Sequence, residues 1–160
     1  MDRSNLSLQR IHYDNPQHIE WLKIVWGWML AQPHYLKHAP YSGLDEFLIR
    51  PAPTWVEIAC LADEKIFALV TVSLFSLDGI VRVSLTTPIR PRHRCLIRAL
   101  EAIKQDIFQS LHAKEIIAVF PSEKAKECAK LANKLGMYQI RELTYGVREL
   151  ASSDAASGKF

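Results

Sequence analysis

The sequence predicts an α/β fold in which a mixed, mostly antiparallel sheet is flanked by helices. Segments rich in β-branched and aromatic residues indicate strands, and segments whose apolar residues recur every three or four positions indicate amphipathic helices. One short apolar run without polar alternation indicates a strand that is covered on both faces. The predicted order is strand, two helices, three antiparallel strands, helix, strand, helix and two strands.

The first strand is predicted over Leu6–Tyr13, and the turn residues Asp14-Asn15-Pro16 end it and open a helix. That helix carries Trp21 and Trp28 outside its main apolar stripe, so it is apolar over much of its circumference. It is either buried on two sides or presents a surface for a protein partner. The main stripe consists of Leu22, Val25, Trp26 and Met29.

Prolines then punctuate a less regular stretch with one short helix, capped by Ser42. Trp55–Leu61 and Lys65–Phe75 are predicted to form a hairpin. Asp78-Gly79 is a strong tight-turn signal and leads into a third antiparallel strand. That strand alternates Ile80, Val81, Val83 and Leu85 with polar residues.

The second half predicts a parallel crossover and two closing strands. After the loop Pro88–Arg94, a helix is predicted with one apolar face, and the run Glu115–Phe120 is the strand covered on both faces. The helical face consists of Leu96, Leu100, Ile103, Ile107 and Leu111. A further helix begins at Pro121-Ser122 and stops at Gly136, a natural C-terminal cap. Strands over Met137–Leu143 and Tyr145–Leu150 complete the chain.

Length and composition favour one domain over residues 1–150, with Ala151–Phe160 as a flexible tail. The odd number of cysteines, three, with no CxxC spacing, argues against a disulfide framework and a thiolate zinc site. The polar start, Met1–Asn5, lacks a signal-peptide pattern, and no apolar run reaches about 18 residues. We therefore expect a cytoplasmic protein that does not span a membrane.

Positive charge is concentrated before the predicted crossover helix, where four arginines and His93 form a local anion-seeking cluster. The arginines are Arg90, Arg92, Arg94 and Arg98. Because the cluster lacks interleaved aromatic residues and the net charge is only +3, nucleic acid binding is not expected. His34 and His38 have helical metal-ligand spacing, but prolines bracket them and no third ligand is obvious, so no metal site is predicted.

The order of elements resembles the GNAT superfamily of acyl-coenzyme A dependent N-acyltransferases, over nearly the whole chain. The most specific stretch is Val83–Gly136, in which a strand, an arginine-rich turn, a helix beginning with Arg98-Ala99-Leu100, a buried strand and a helix ending in Leu135-Gly136 follow in order. The resemblance implies that an acyl-coenzyme A, such as acetyl-coenzyme A, donates its acyl group to an amine acceptor. It also implies that the strand near Val83–Thr86 lies beside Ile116–Phe120 and splays away from it.

In the family, Arg-Gly-x-Gly-x-Gly usually precedes the crossover helix, because glycines let backbone amides approach a pyrophosphate. Here Arg92 takes the arginine position, and His93, Cys95 and Ile97 take the glycine positions. The resemblance therefore implies a degenerate cofactor loop in which arginine side chains assist in holding phosphate. The implied cofactor-binding residues are Leu85, Thr86, Arg92, His93, Arg94, Cys95, Leu96 and Ile97.

The family's usual proton donor is a tyrosine in the last helix. Counting back from Gly136 puts Ala132 at that position. Tyr138 or Tyr145 would then have to act as the general acid, and Glu57, on a strand facing the acceptor cleft in this family, is the candidate base. These losses leave an alternative open: a catalytically inactive GNAT-fold binding or assembly protein. Glycine-poor GNAT-like proteins of tailed phages, some described as head-assembly or virion proteins, have a similar length and layout.

Overall fold

The protein is described by a computed structural model, which covers residues 4–37, 41–49, 55–73 and 78–149. Its centre is a seven-stranded sheet with the strand order β1-β2-β3-β4-β5-β7-β6. All neighbouring strands run antiparallel except β4 and β5, which run parallel. The predicted mixed, mostly antiparallel sheet and the predicted order of elements are therefore confirmed.

The strands are β1 (Leu6–Arg10), β2 (Trp55–Ala62), β3 (Lys65–Ser73), β4 (Ile80–Thr86), β5 (Glu115–Val119), β6 (Tyr138–Arg141) and β7 (Thr144–Arg148). The helices are α1 (Pro16–Ala31), α2 (Leu44–Leu48), α3 (His93–Ser110) and α4 (Ala125–Lys134). Single 3₁₀ turns occur at Pro33–Tyr35 and Ser122–Lys124. None of the helices within the described ranges has the length and apolar character needed to cross a membrane.

The sheet separates two apolar layers. On one face, α3 packs Cys95, Leu96, Ala99, Ile103 and Ile107 against alternate residues of β2, β3 and β4. On the other face, Trp21, Leu22, Val25 and Met29 of α1 and Phe47 of α2 cover Ala59 and Leu61 of β2 and Leu69 of β3. Burial of these side chains from both faces is the main favourable term that holds the sheet between its helices.

Two turns follow the expected backbone chemistry. The β2–β3 hairpin closes through Asp63 and Glu64, which both have positive φ, as a two-residue primed turn requires. Gly136 has φ of 75° directly after α4, and glycine adopts this conformation without a Cβ clash. Helix α4 therefore ends where the sequence predicts.

Several predicted boundaries are wrong in detail. The first strand ends at Arg10, not Tyr13, because residues 12–15 form a turn in which the Asn15 amide donates to the His12 carbonyl at 3.1 Å. Leu111 is 43% exposed, since α3 ends at Ser110 before that residue can face the core. The predicted tail, residues 151–160, and the last residue of the predicted final strand lie outside the described residues.

The two tryptophans outside the apolar stripe of α1 both belong to the layer beneath this helix. Trp21 is 7% exposed, and Trp28 is half-buried against the same cluster. The structure therefore uses Trp21 for packing within the domain.

Candidate functional site

The central feature of the site is the separation of β4 from β5. Their parallel register covers Ile80–Val83 of β4, and the last pair joins Val83 to Ala118. Strand β4 continues through Thr86 and stays paired with β3, whereas the chain after β5 turns to β7, where the Phe120 amide donates to the Leu143 carbonyl at 2.8 Å. The prediction that the two strands lie side by side is confirmed, and their pairing ends at Val83. We call the space beside β4 beyond Val83 the gap, because β5 does not pair with β4 there and an extended ligand can add hydrogen bonds.

The chain directly after β4 is held by the segment that follows α1. The Gln32 side-chain amide donates to the Thr87 carbonyl at 2.8 Å, and the Thr87 amide donates to the Tyr35 hydroxyl oxygen at 3.1 Å. Gln32 is buried, and its Oε1 has no hydrogen-bond partner among the described residues. These contacts fix the direction in which the chain leaves the gap.

Glu57 lies on β2, on the sheet face covered by α1 and α2. It shares this face with Ala59 and Leu61, because alternate residues of a strand point to the same side. Its side chain is 4% exposed, and Tyr13 donates its hydroxyl proton to Oε1. Burial raises the pKa of Glu57 to about 7, while a hydrogen bond with the Thr71 side chain opposes the rise.

A polar row connects Glu57 with the gap. The register pairs Glu57 with Thr71 of β3, and Thr71 with Ser84 of β4. Directly paired residues point to the same face, so the three side chains lie side by side across two strand spacings, about 10 Å. Ser84 is the first residue of β4 beyond the last β5 pair. The row therefore ends where β4 and β5 part.

The basic turn, residues 90–94, leads into α3 from the same end of β4. Arg92, His93 and Arg94 are exposed, and the Arg92 guanidinium donates to the Ser4 hydroxyl. Cys95 and Leu96 are buried among the core residues beneath α3, and Ile97 is half-buried. The side chains suited to an anion are thus Arg92, His93 and Arg94. Cys95 can offer only its first-turn backbone amide, and the Leu96 amide already donates to the Arg92 carbonyl at 2.8 Å.

The two candidate tyrosines lie at opposite ends of β5. Tyr145 pairs with Ala118, beside the gap, and its ring packs against Phe120 with centroids 5.2 Å apart. Tyr138 lies on the edge strand β6, and its hydroxyl donates to Glu115 Oε2 at 2.9 Å, near the start of β5. That hydrogen bond raises the pKa of Tyr138. Tyr145 thus lies across β5 from Val83, near the end of the β4–β5 pairing, and Tyr138 lies at the other end of β5. The side chain of Tyr145 is on the sheet face that packs against α4, opposite to the face of Ser84.

Ala132, at the position of the family's usual tyrosine, is buried in the small cluster that also contains Ala118 and Leu135. Tyr145 packs against the same cluster. Tyr13, Gln32 and Tyr35 are not among the site residues that the sequence predicts. Only Gln32 carried a local signal, since Pro33 after it marks the end of α1.

Neither a protein-family model nor a curated protein sequence matches this chain. Solved structures do match it. The Campylobacter jejuni N-acetyltransferase PseH in complex with acetyl coenzyme A superimposes with a TM-score of 0.60 at 14% identity, over 91% of this chain and 99% of that chain. A variant of the Vibrio cholerae spermidine N-acetyltransferase SpeG gives 0.70 at 10% identity, over 96% and 98% of the two chains.

The GNAT domain of PAT from S. lividans is similar to the same degree, with a TM-score of 0.68 at 15% identity over 89% of each chain. Identities this low establish a common architecture and leave activity to be argued from the site itself. The strand order, the one parallel pair among the described strands and the gap after Val83 are all accounted for by one fold. The chain has the fold of the GNAT acetyltransferases.

Proposed function

We propose that this protein is an acyl-coenzyme A dependent N-acyltransferase that transfers an acetyl group to an amine. The observation that carries the proposal is the polar row that joins the buried carboxyl of Glu57 to the gap between β4 and β5. A carboxyl that is only 4% exposed, on the face that leads to the gap, has no evident structural role in the sheet, and buried ionisable groups of this kind are typical of functional sites.

The β4 side of the gap fits an extended, amide-containing arm. Backbone groups of Leu85 and Thr86 lie beyond the last β5 pair, and Thr87 is already held by Gln32 and Tyr35. We expect Leu85 and Thr86 to hold the pantetheine portion of an acyl-coenzyme A as an added strand would be held. PseH, which has the same fold, has been solved in complex with acetyl coenzyme A, and this supports the proposed cosubstrate.

The basic turn fits the phosphates. Arg92, His93 and Arg94 supply exposed donors at the start of α3, an 18-residue helix without an acidic residue in its first turn. First-turn amides and guanidinium groups together favour phosphate. Cys95 does not obstruct this role, because its side chain is 0% exposed and lies in the core.

Glu57 is suited to accept a proton from an amine. A carboxyl whose pKa is about 7 is largely ionised at slightly alkaline pH and is a stronger base than an ordinary glutamate. Because the polar row spans about 10 Å, the proton reaches Glu57 through a bridging water beside Thr71 and Ser84. Tyr145, beside the gap, is the residue that we assign as proton donor to the departing sulfur.

Calorimetric titration with acetyl coenzyme A tests the cosubstrate, and an acetylation assay with spermidine and with a lysine-containing peptide tests the reaction. We expect saturable binding of one acetyl coenzyme A and amine-dependent release of coenzyme A thiol. Desulfo-coenzyme A, which cannot carry the acetyl group, is the matched control for the thiol assay. A protein that shows no binding at millimolar acetyl coenzyme A and releases no thiol would contradict the proposal.

A further inference from the structure

The Tyr13 hydroxyl connects the buried carboxyl of Glu57 with a cleft between the turn after β1 and the start of β2. The cleft has a volume of about 350 Å³, and both Tyr13 and Glu57 line it. Its other walls are Trp55, Val56 and the chain from Arg10 to Asp14. Tyr13 is half-buried and Glu57 is 4% exposed, and the Tyr13 hydroxyl donates to Glu57 Oε1.

Tyr13 is held in this position by its backbone. The Ile11 amide donates to the Glu57 carbonyl at 2.8 Å, and the His12 amide donates to His18 Nδ1 at 2.9 Å. Asn15 closes the turn, since its side chain accepts from the Gln17 amide at 2.9 Å and caps α1. A turn that leaves the sheet at Arg10 thus presents Tyr13 to a fixed point on the neighbouring strand.

His18 contributes as a hydrogen-bond acceptor. Its Nδ1 accepts from the His12 amide at 2.9 Å, and burial, followed by the nearby His12, lowers the pKa of His18. The charged and titratable groups that line the cleft around Tyr13 are Arg10, His12 and Asp14, and all three are exposed. Glu57 is the buried one among the titratable groups of this cleft.

We propose that Tyr13 relays to water in this cleft the proton that Glu57 takes from the acceptor amine. The inference rests on the proposed function. In acetyl transfer, a protonated amine loses two protons as the N–C bond forms and the C–S bond breaks. The departing sulfur takes a proton from Tyr145, one amine proton restores the Tyr145 hydroxyl, and Glu57 receives the other amine proton. Glu57 must release that proton before the next cycle.

The geometry provides the exit. Protonated Glu57 donates from Oε1 to the Tyr13 hydroxyl oxygen while Tyr13 passes its own hydroxyl proton to water in the cleft, and the original hydrogen bond then re-forms. No net charge remains on Tyr13, and Glu57 returns to the carboxylate. Amine and proton therefore use opposite sides of Glu57: the polar row toward Ser84 for arrival, and Tyr13 for departure.

The test is the Tyr13→Phe variant, which keeps the ring and removes the hydroxyl, assayed with acetyl coenzyme A and whichever of spermidine or the lysine peptide the wild type acetylates. We expect kcat to fall by about a hundredfold, within the range that a positioned proton transfer contributes, with the amine KM nearly unchanged. Imidazole, small enough for the cleft, should restore much of the loss. Buffer rescue is a response that a merely structural tyrosine would not give.

Tyr41→Phe is the matched control, because Tyr41 lies on the same side of the sheet and packs edge-on against Phe47, away from the cleft. It should keep the wild-type kcat and show no imidazole response. A carbon-detected NMR titration of the Glu57 carboxyl adds a readout without turnover: loss of the Tyr13 donor should raise its midpoint.

The outcomes separate the two proposals. Acetyl transfer by the wild type together with a Tyr13→Phe variant of unchanged kcat, no imidazole response and an unshifted Glu57 midpoint overturns the relay alone. A wild type that acetylates neither amine and does not bind acetyl coenzyme A overturns the proposed function, and the relay with it.

Discussion

Glu57 and the basic turn serve the same proposed reaction from very different surroundings. Glu57 is buried and hydrogen-bonded by Tyr13, whereas Arg92, His93 and Arg94 are exposed at the start of α3. A buried ionisable group takes its properties from the few atoms around it, but solvent and salt screen an exposed cation. Function at Glu57 should therefore depend on single atoms, and anion binding at the basic turn should depend on the sum of several weak contributions.

The largest expected effect is the loss of acetyl transfer in Glu57→Gln. The amide keeps the size of the side chain but cannot accept the amine proton, so kcat/KM should fall by roughly 10²–10⁴. Calorimetry should show unchanged acetyl coenzyme A affinity, because Glu57 lies two strands away from the β4 residues that face the gap. Wild-type activity in this variant would show that Glu57 is not the base.

A second comparison concerns stability and pH. The folded pKa of Glu57 is about 7 and its ordinary value is 4.5, so folding favours the protonated form. This contribution is fully present below pH 4.5 and is lost as the pH rises through about 7, on the order of 3 kcal/mol in all. Urea unfolding of wild type and Glu57→Gln at several pH values should show the wild type losing stability relative to the variant as pH rises. If the unfolding free energies of wild type and variant instead changed with pH in parallel, burial would not disfavour the ionised form of Glu57.

The smallest of the three effects belongs to the basic turn. Replacing Arg92 and Arg94 together by alanine should weaken acetyl coenzyme A binding by about 2 kcal/mol, because charge-assisted contacts to phosphate are strong but both guanidinium groups are exposed. The loss should shrink at high salt. Arg141→Ala, an exposed arginine on the edge strand β6, is the control. Equal affinities of the double variant and wild type at low salt would remove the basic turn from the site.

The sequence predicted the elements more completely than their contacts. Period-two and helical periodicities are local, and they located all seven strands and the order of the helices. The burial of Glu57 was not predictable in the same way, since it depends on α1 and α2 covering the face that Glu57 shares with Ala59. A glutamate on a strand with an uncovered face would point into water.

Hydrogen bonds between residues far apart in the chain could not be predicted from the sequence either. The hydrogen bond from Tyr13 to Glu57 joins residues 44 apart, and the bond from Gln32 to Thr87 joins residues 55 apart. No local pattern specifies such pairs, and the prediction that β1 runs through Tyr13 concealed the first of them. Cys95 is a further example. Counting along the sequence aligns it with a glycine of the family's motif, but the structure buries its side chain in the core beneath α3.

The attachment of Thr87 to Gln32 and Tyr35 has a consequence for how two substrates share this protein. Any ligand that displaces the end of β4 must also move the segment after α1, because Thr87 is hydrogen-bonded to both Gln32 and Tyr35. Binding of acetyl coenzyme A beside β4 and binding of an amine against the segment after α1 are therefore expected to be thermodynamically coupled. By linkage, each substrate must then change the affinity of the protein for the other by the same factor.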